Sequence, residues 1–227
     1  MKPTIWCFPF AGGSYYSYKT LFKDIQQSFE IRFLELPGRG NRINEPLLYR
    51  YDEVLDDIFS QIKDQIQEPF ILFGHSMGAQ LAFDTTNLLS SRFDLKPLRL
   101  IVSGRGAPAA IKMKRRSDLP RPEFTTALQN LGGIPPEILN DPEFFSFFEP
   151  ILRADFQAIE NYQFAEEKPL DIPILALIGD DEETTIDEAR AWKEVTTASF
   201  ELKIFRGGHF FILEHTQAIL KLITEIP

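Results

Sequence analysis

The sequence predicts an α/β fold in which a mostly parallel sheet is covered by helices on both faces. Three observations carry this. Apolar, strand-like runs alternate with helical patterns along the 227 residues. One run, Phe70-Ile-Leu-Phe73, leads straight into Gly74-His-Ser-Met-Gly78, and helical spacing resumes at Gln80. A second, spanning 172–178, is continuously apolar, as befits a strand buried on both faces.

Taken in order, strands are predicted at 5–8, 31–36, 70–73, 98–103, 172–178 and 200–205. Residues 15–27 read as a helix. So do residues 51–66, with Tyr51, Leu55, Ile58, Phe59, Ile62 and Ile66 on one stripe and acids opposite. A last helix would carry Ala218, Ile219, Leu222, Ile223 and Ile226 on one face. No internal repeat divides the chain, and its length suits a single domain spanning 1–227. One insertion, about 106–165, breaks the alternation. It is punctuated by Pro120, Pro122, Pro135, Pro136, Pro142 and Pro150, which predicts short helices joined by turns. Its aromatic stretch (Phe144, Phe145, Phe147, Phe148, Phe156) reads as a helical lid, with about two rings explained by packing for each one that touches substrate, and both roles can hold at once.

Strand, G-x-S-x-G and helix in succession form the setting of a nucleophile elbow. Gly74 and Gly78 remove Cβ atoms where strand and helix come close, which exposes the Ser76 hydroxyl. A serine needs a base, and the chain has three histidines. His75 lies inside the elbow and His215 at the start of the last helix. His209 follows a strand and the Gly207-Gly208 turn, so it is the candidate base. In the α/β-hydrolase order the acid lies between serine and histidine. The 172–178 strand ends in Gly179-Asp-Asp-Glu-Glu183. Asp181 is favoured by residue type and Glu182 by its place three residues after the glycine. An oxyanion hole would take one N–H from Met77 and another from the loop Pro9-Phe-Ala-Gly-Gly13, from Ala11 or Phe10.

Cys7-Phe-Pro-Phe-Ala-Gly-Gly13, Leu36-Pro-Gly-Arg-Gly40, Leu72-Phe-Gly-His-Ser-Met-Gly78, Leu131-Gly-Gly-Ile-Pro135, Leu152-Arg-Ala-Asp155 and Gly207-Gly-His-Phe-Phe211 occur in this order. Together they resemble the type II thioesterases, free-standing editing hydrolases of nonribosomal peptide and polyketide synthases. The resemblance implies an α/β-hydrolase fold with an inserted helical lid, catalytic roles for Ser76 and His209, and hydrolysis of acyl groups from the phosphopantetheine arm of carrier proteins. It leaves the acid open, because the family usually has Asp where this chain has Glu182.

Composition narrows the remaining classes. A net charge of −9 argues against a nucleic-acid backbone as partner. No run is long enough to span a bilayer, and Met1-Lys-Pro runs into the first strand without a secretory pattern. The single cysteine, Cys7, fits a reducing cytoplasm. No metal-ligand spacing or phosphate loop is present, so neither a metal nor a cofactor is expected. A monomer suits a protein that visits many carrier domains. The basic cluster Lys112, Lys114, Arg115 and Arg116 reads as a solvated loop before a docking patch. Arg39 is a candidate for contact with the phosphate or the carrier, and equally for capping a neighbouring loop, and Arg153 and Asp155 are a candidate pair that fixes the lid. Competing readings are a chain-releasing thioesterase of fatty-acid synthesis, a small-ester esterase of the same fold, and a non-catalytic synthase-binding protein.

Overall fold

A computed structural model describes residues 2–165 and 168–225. Six strands form one wholly parallel sheet: β1 Thr4–Phe8, β2 Glu30–Phe33, β3 Phe70–His75, β4 Arg99–Ser103, β5 Ile174–Gly179 and β6 Phe200–Phe205. Their spatial order is β2-β1-β3-β4-β5-β6, which puts β3 near the middle. Side-chain alternation sorts the interior into two layers. Trp6, Phe8, Phe70 and Leu72 face one side, together with the apolar stripes of α1 (Tyr51–Ile62) and α2 (Met77–Phe93). Ile5, Cys7, Ile71 and Phe73 face the other. There they meet Tyr18, Leu21 and Phe22, with Phe211, Ile219 and Ile223 from α7 (Phe211–Glu214) and α8 (Thr216–Thr224). Between β4 and β5 lie α3 (Arg121–Leu131), α4 (Pro136–Asn140) and α5 (Pro142–Glu160); α6 (Ile186–Arg190) follows β5. Helices α3 to α5 share their own cluster, which includes Phe124, Leu128, Leu139, Phe145, Leu152 and Phe156.

Local details depart from the sequence reading. Residues 15–27 form two 3₁₀ turns, Tyr15–Tyr18 and Lys23–Ile25, in place of one helix. Tyr-Tyr-Ser-Tyr is poor in helix formers, and Ser14 and Ser17 bond each other's backbone in a reciprocal cap that favours the tight turn. Strand β5 begins after Pro173, which has no N–H to give to a ladder. In the last helix Ile219 and Ile223 are buried and Ala218 is exposed, while Ile226 lies outside the described residues. Among the described residues no helix is long and apolar enough to cross a membrane.

Candidate active site

Ser76 joins β3 to α2 with φ 55° and ψ −120°, a region that a residue with a Cβ rarely occupies. The neighbouring glycines make that turn possible. A Cβ on Gly74 would lie 2.0 Å from the Gly78 carbonyl oxygen, and one on Gly78 would lie 2.3 Å from that of Phe8. The Ser76 N–H donates to the Ser103 carbonyl at 2.7 Å, which ties the elbow to β4. Although Ser76 begins α2, its hydroxyl does not cap the helix and stays available for chemistry. Met77, the first residue of α2, carries one of the N–H groups that helix geometry leaves without an intrahelical acceptor.

His209 lies beyond β6, and its Nδ1 is 2.7 Å from Glu182 Oε2. The Glu182 side chain is fully buried and that of His209 nearly so. A carboxylate accepts, so Nδ1 carries the proton and Nε2 is left as the basic atom. Glu182 Oε1 accepts the Gly179 N–H at 2.8 Å, so both carboxylate oxygens are fixed. Of the two acids open from sequence, Glu182 is therefore the one against His209. Asp181 has a different place, with its backbone N–H donating to the Gly207 carbonyl at 3.0 Å. Asp180 Oδ1 accepts the Gly207 N–H at 2.8 Å, which closes the β5 loop onto the loop that carries His209. Glu183 pairs with Lys114 and Arg116. Glu183 of the acidic run thus pairs with part of the basic cluster, while Lys112, Lys114 and Arg115 stay exposed, as expected of a solvated loop.

The other histidines serve the scaffold. His75 is fully buried, its Nδ1 lies 3.0 Å from Ser103 Oγ, and its ring centroid is 4.7 Å from that of His209. Burial, and secondarily the neighbouring His209, pushes its pKa well below the ordinary 6.5. His215 Nε2 donates to the Arg206 carbonyl at 2.7 Å and braces the His209 loop. Sequence spacing gave no sign of that bond. Cys7 is buried, and desolvation pushes its thiol well above its ordinary pKa.

His75 gives the stability a calculable pH dependence. The unfolded chain takes up a proton near pH 6.5 that the folded interior refuses. Its contribution is therefore complete above that pH and is lost as the pH falls below it, at up to about 1.4 kcal/mol per pH unit. Melting curves of wild type and His75→Gln between pH 7.5 and 5 are expected to show a steeper acid loss in wild type. Equal slopes would refute the assignment.

Two cavities meet at Ser76, Ala11 and His209. One, of about 250 Å³, is apolar, with Leu128, Ile138, Leu139, Phe145 and Phe148 in its wall. The other, of about 340 Å³, is more polar and includes Arg105, Lys112, Thr184 and Thr185. Arg105 is buried; its Nε donates to Gln80 Oε1 at 3.2 Å. Of the five aromatics singled out in the insertion, Phe145, Phe148 and Phe156 line the apolar cavity, and Phe144 and Phe147 are exposed. Phe145 and Phe156 also belong to the cluster shared by α3 to α5, and Phe148 packs against it, so the same rings both pack and line the cavity. Ala11 borders both cavities, whereas the Phe10 ring packs edge-on against Tyr18, His75 and Phe210.

A parallel sheet with an elbow serine after its central strand, and a histidine–carboxylate pair beyond the last two, defines an α/β-hydrolase. Residues 3–226 match the thioesterase domain family, so the chain belongs to that family and is a hydrolase. It is 32% identical over 229 aligned positions to the gramicidin S biosynthesis protein GrsT of Aneurinibacillus migulanus, covering 99% of this chain and 88% of that protein. It is 29% identical to the medium-chain S-acyl fatty acid synthase thioesterase of Rattus norvegicus, covering 92% of this chain and 81% of the relative. Among solved structures, the type II thioesterase BorB from the borrelidin biosynthetic cluster superposes with a TM-score of 0.91 at 35% identity. That match covers 99% of this chain and 92% of BorB.

Proposed function

We propose that this chain is a type II thioesterase that hydrolyses acyl groups from the phosphopantetheine arm of carrier proteins in nonribosomal peptide or polyketide synthesis. The observation that carries the reading is the His209–Glu182 pair, whose His209 borders the junction of an apolar and a polar cavity together with Ser76. Similarity to GrsT and BorB along nearly the whole chain supports the synthase setting.

Ser76 Oγ attacks the thioester carbonyl carbon while His209 Nε2 takes its proton. Glu182 holds the imidazolium that results. The N–H groups of Met77 and Ala11 face the oxyanion, each typically worth about 10²–10³ in kcat. The C–S bond breaks, and the departing thiolate takes the proton from His209. Water then enters, gives a proton to His209 and attacks the acyl-serine. Collapse releases the acid and restores the Ser76 hydroxyl. None of these steps calls on a metal or cofactor. The apolar cavity takes the acyl chain, and the polar cavity takes the amide-bearing pantetheine arm. Residues 106–165 serve as a lid over the junction. The protein acts as a monomer in the cytoplasm.

Hydrolysis of one acyl group presented on a carrier protein, on coenzyme A and on a simple oxygen ester tests the substrate class. A carrier preference of at least tenfold in kcat/KM is expected. Equal or faster turnover of the oxygen ester would remove the synthase and leave an esterase. Preference for medium-length acyl chains over short ones on the carrier would move the protein toward the medium-chain fatty acid synthase thioesterase that the rat relative is named as.

A further inference from the structure

Arg39 and Asp155, 116 residues apart in the chain, meet with side chains only 5% and 2% exposed. Arg39 Nη1 donates to Asp155 Oδ2 at 2.5 Å and Nη2 to Oδ1 at 2.7 Å, a two-pronged fork. Oδ2 also accepts the Gly12 N–H at 2.7 Å, and Arg39 Nη1 reaches the Gly13 carbonyl at 3.3 Å. One turn earlier on the same face of α5, Leu152 packs against Gly12, where a Cβ would come within 2.5 Å of Leu152 Cδ2. Ala11 packs on the cluster that joins α3 to α5.

These contacts fix both peptide planes around Ala11. The Phe10 carbonyl accepts the Gly13 N–H at 2.7 Å. That carbonyl shares a planar trans unit with the Ala11 N–H, which therefore points the opposite way. The next plane, from Ala11 to Gly12, is held by Asp155 through the Gly12 N–H. A buried ion pair is weak evidence for stability, because desolvation offsets much of the attraction. A carboxylate held in a fork does supply direction.

We propose that Asp155, aimed by Arg39, is a positioning residue for the oxyanion hole, so that α5 sets the orientation of the Ala11 N–H. This rests on the reading of Ser76 as nucleophile and Ala11 as donor. It follows that the hole is complete only while α5 is seated.

Arg39→Met with Asp155→Leu removes both charges together and avoids leaving one of them buried alone. Kinetics of this double variant are expected to show kcat reduced about 100-fold, the cost of one misplaced donor. KM, the pH midpoint of kcat and the melting temperature should stay near wild type, because His209 and the cavities are untouched. Asp155→Asn keeps an oxygen for Gly12 but loses the fork, and should lose about tenfold in kcat at constant KM. Wild-type kcat in the folded double variant would overturn the inference, as would a shift of KM and pH midpoint along with kcat. If the double variant does not fold, Asp155→Asn decides alone, and unchanged kcat there overturns the inference. Labelling of the wild type with a fluorophosphonate separates the two possible failures. No adduct on Ser76 sinks the nucleophile reading; an adduct with unchanged variant kinetics sinks only the role of Asp155.

Discussion

Replacing Ser76 with alanine is expected to lower kcat on an acyl thioester by a factor on the order of 10⁶, with the melting temperature within a few degrees of wild type. The loss is large because serine and histidine act as a unit. Without Oγ there is no bond for His209 to help make, and only the oxyanion donors and substrate placement continue to act on water. The fold should survive because the Ser76 hydroxyl does not cap α2. Alanine also leaves in place the N–H that donates to Ser103. The φ of 55° is unfavourable for alanine as it is for serine, so the strain is shared by both proteins. Release of free thiol, followed with a thiol reagent, checks the rate, and a melting curve checks the fold. Retained turnover in a well-folded variant would displace Ser76 from the mechanism.

The second large effect separates two adjacent acids. Glu182→Gln is expected to reduce kcat by about 10³–10⁴, and Asp181→Asn to change it by less than about twofold. Glu182 has two clients, the Gly179 N–H at 2.8 Å and His209 Nδ1 at 2.7 Å, and its two equivalent oxygens serve both. Glutamine has one oxygen. If that oxygen stays on Gly179, the amide NH₂ faces Nδ1 and favours the tautomer with its proton on Nε2, which cannot act as the base. If the oxygen turns to His209, the NH₂ meets the Gly179 N–H and a buried donor is left unsatisfied. Either arrangement also withdraws the charge that stabilises the imidazolium. Asp181 contacts the His209 loop through its backbone N–H, which asparagine retains. A large loss in Asp181→Asn with little in Glu182→Gln would reverse the assignment.

The sheet and the elbow were legible in the sequence because both rest on local patterns. Continuous apolar runs mark buried strands, and two glycines around a serine mark a turn that needs close backbone approach. His209 was legible by its place after a strand and a glycine pair. The acid was not, since Asp181 and Glu182 are adjacent and differ by one methylene. Only the direction in which the β5 loop turns decides which carboxylate faces the imidazole. Pairs across the chain were equally hidden. The sequence reading paired Arg153 with Asp155, yet residues two apart on a helix do not face each other. Arg153 bonds Glu149, four residues earlier, as helical spacing dictates. Asp155 instead points to Arg39 and the Gly12 N–H. The proposed helix at residues 15–27 failed for a local reason, its reciprocal serine cap. The cavities belong to no single segment, since their walls draw on loops, α2 and the α3–α5 insertion.

Passage of the acyl group through Ser76 has a more direct measurement than loss of rate. The protein would be mixed with an acyl-loaded carrier protein, quenched in acid within the first turnover, digested and weighed peptide by peptide. The expected result is a gain equal to the mass of the free carboxylic acid, less one water, on the peptide that holds Ser76, with none in the Ser76→Ala protein. Turnover of the carrier thioester with no covalent adduct at any time would contradict the account and point to direct attack by water.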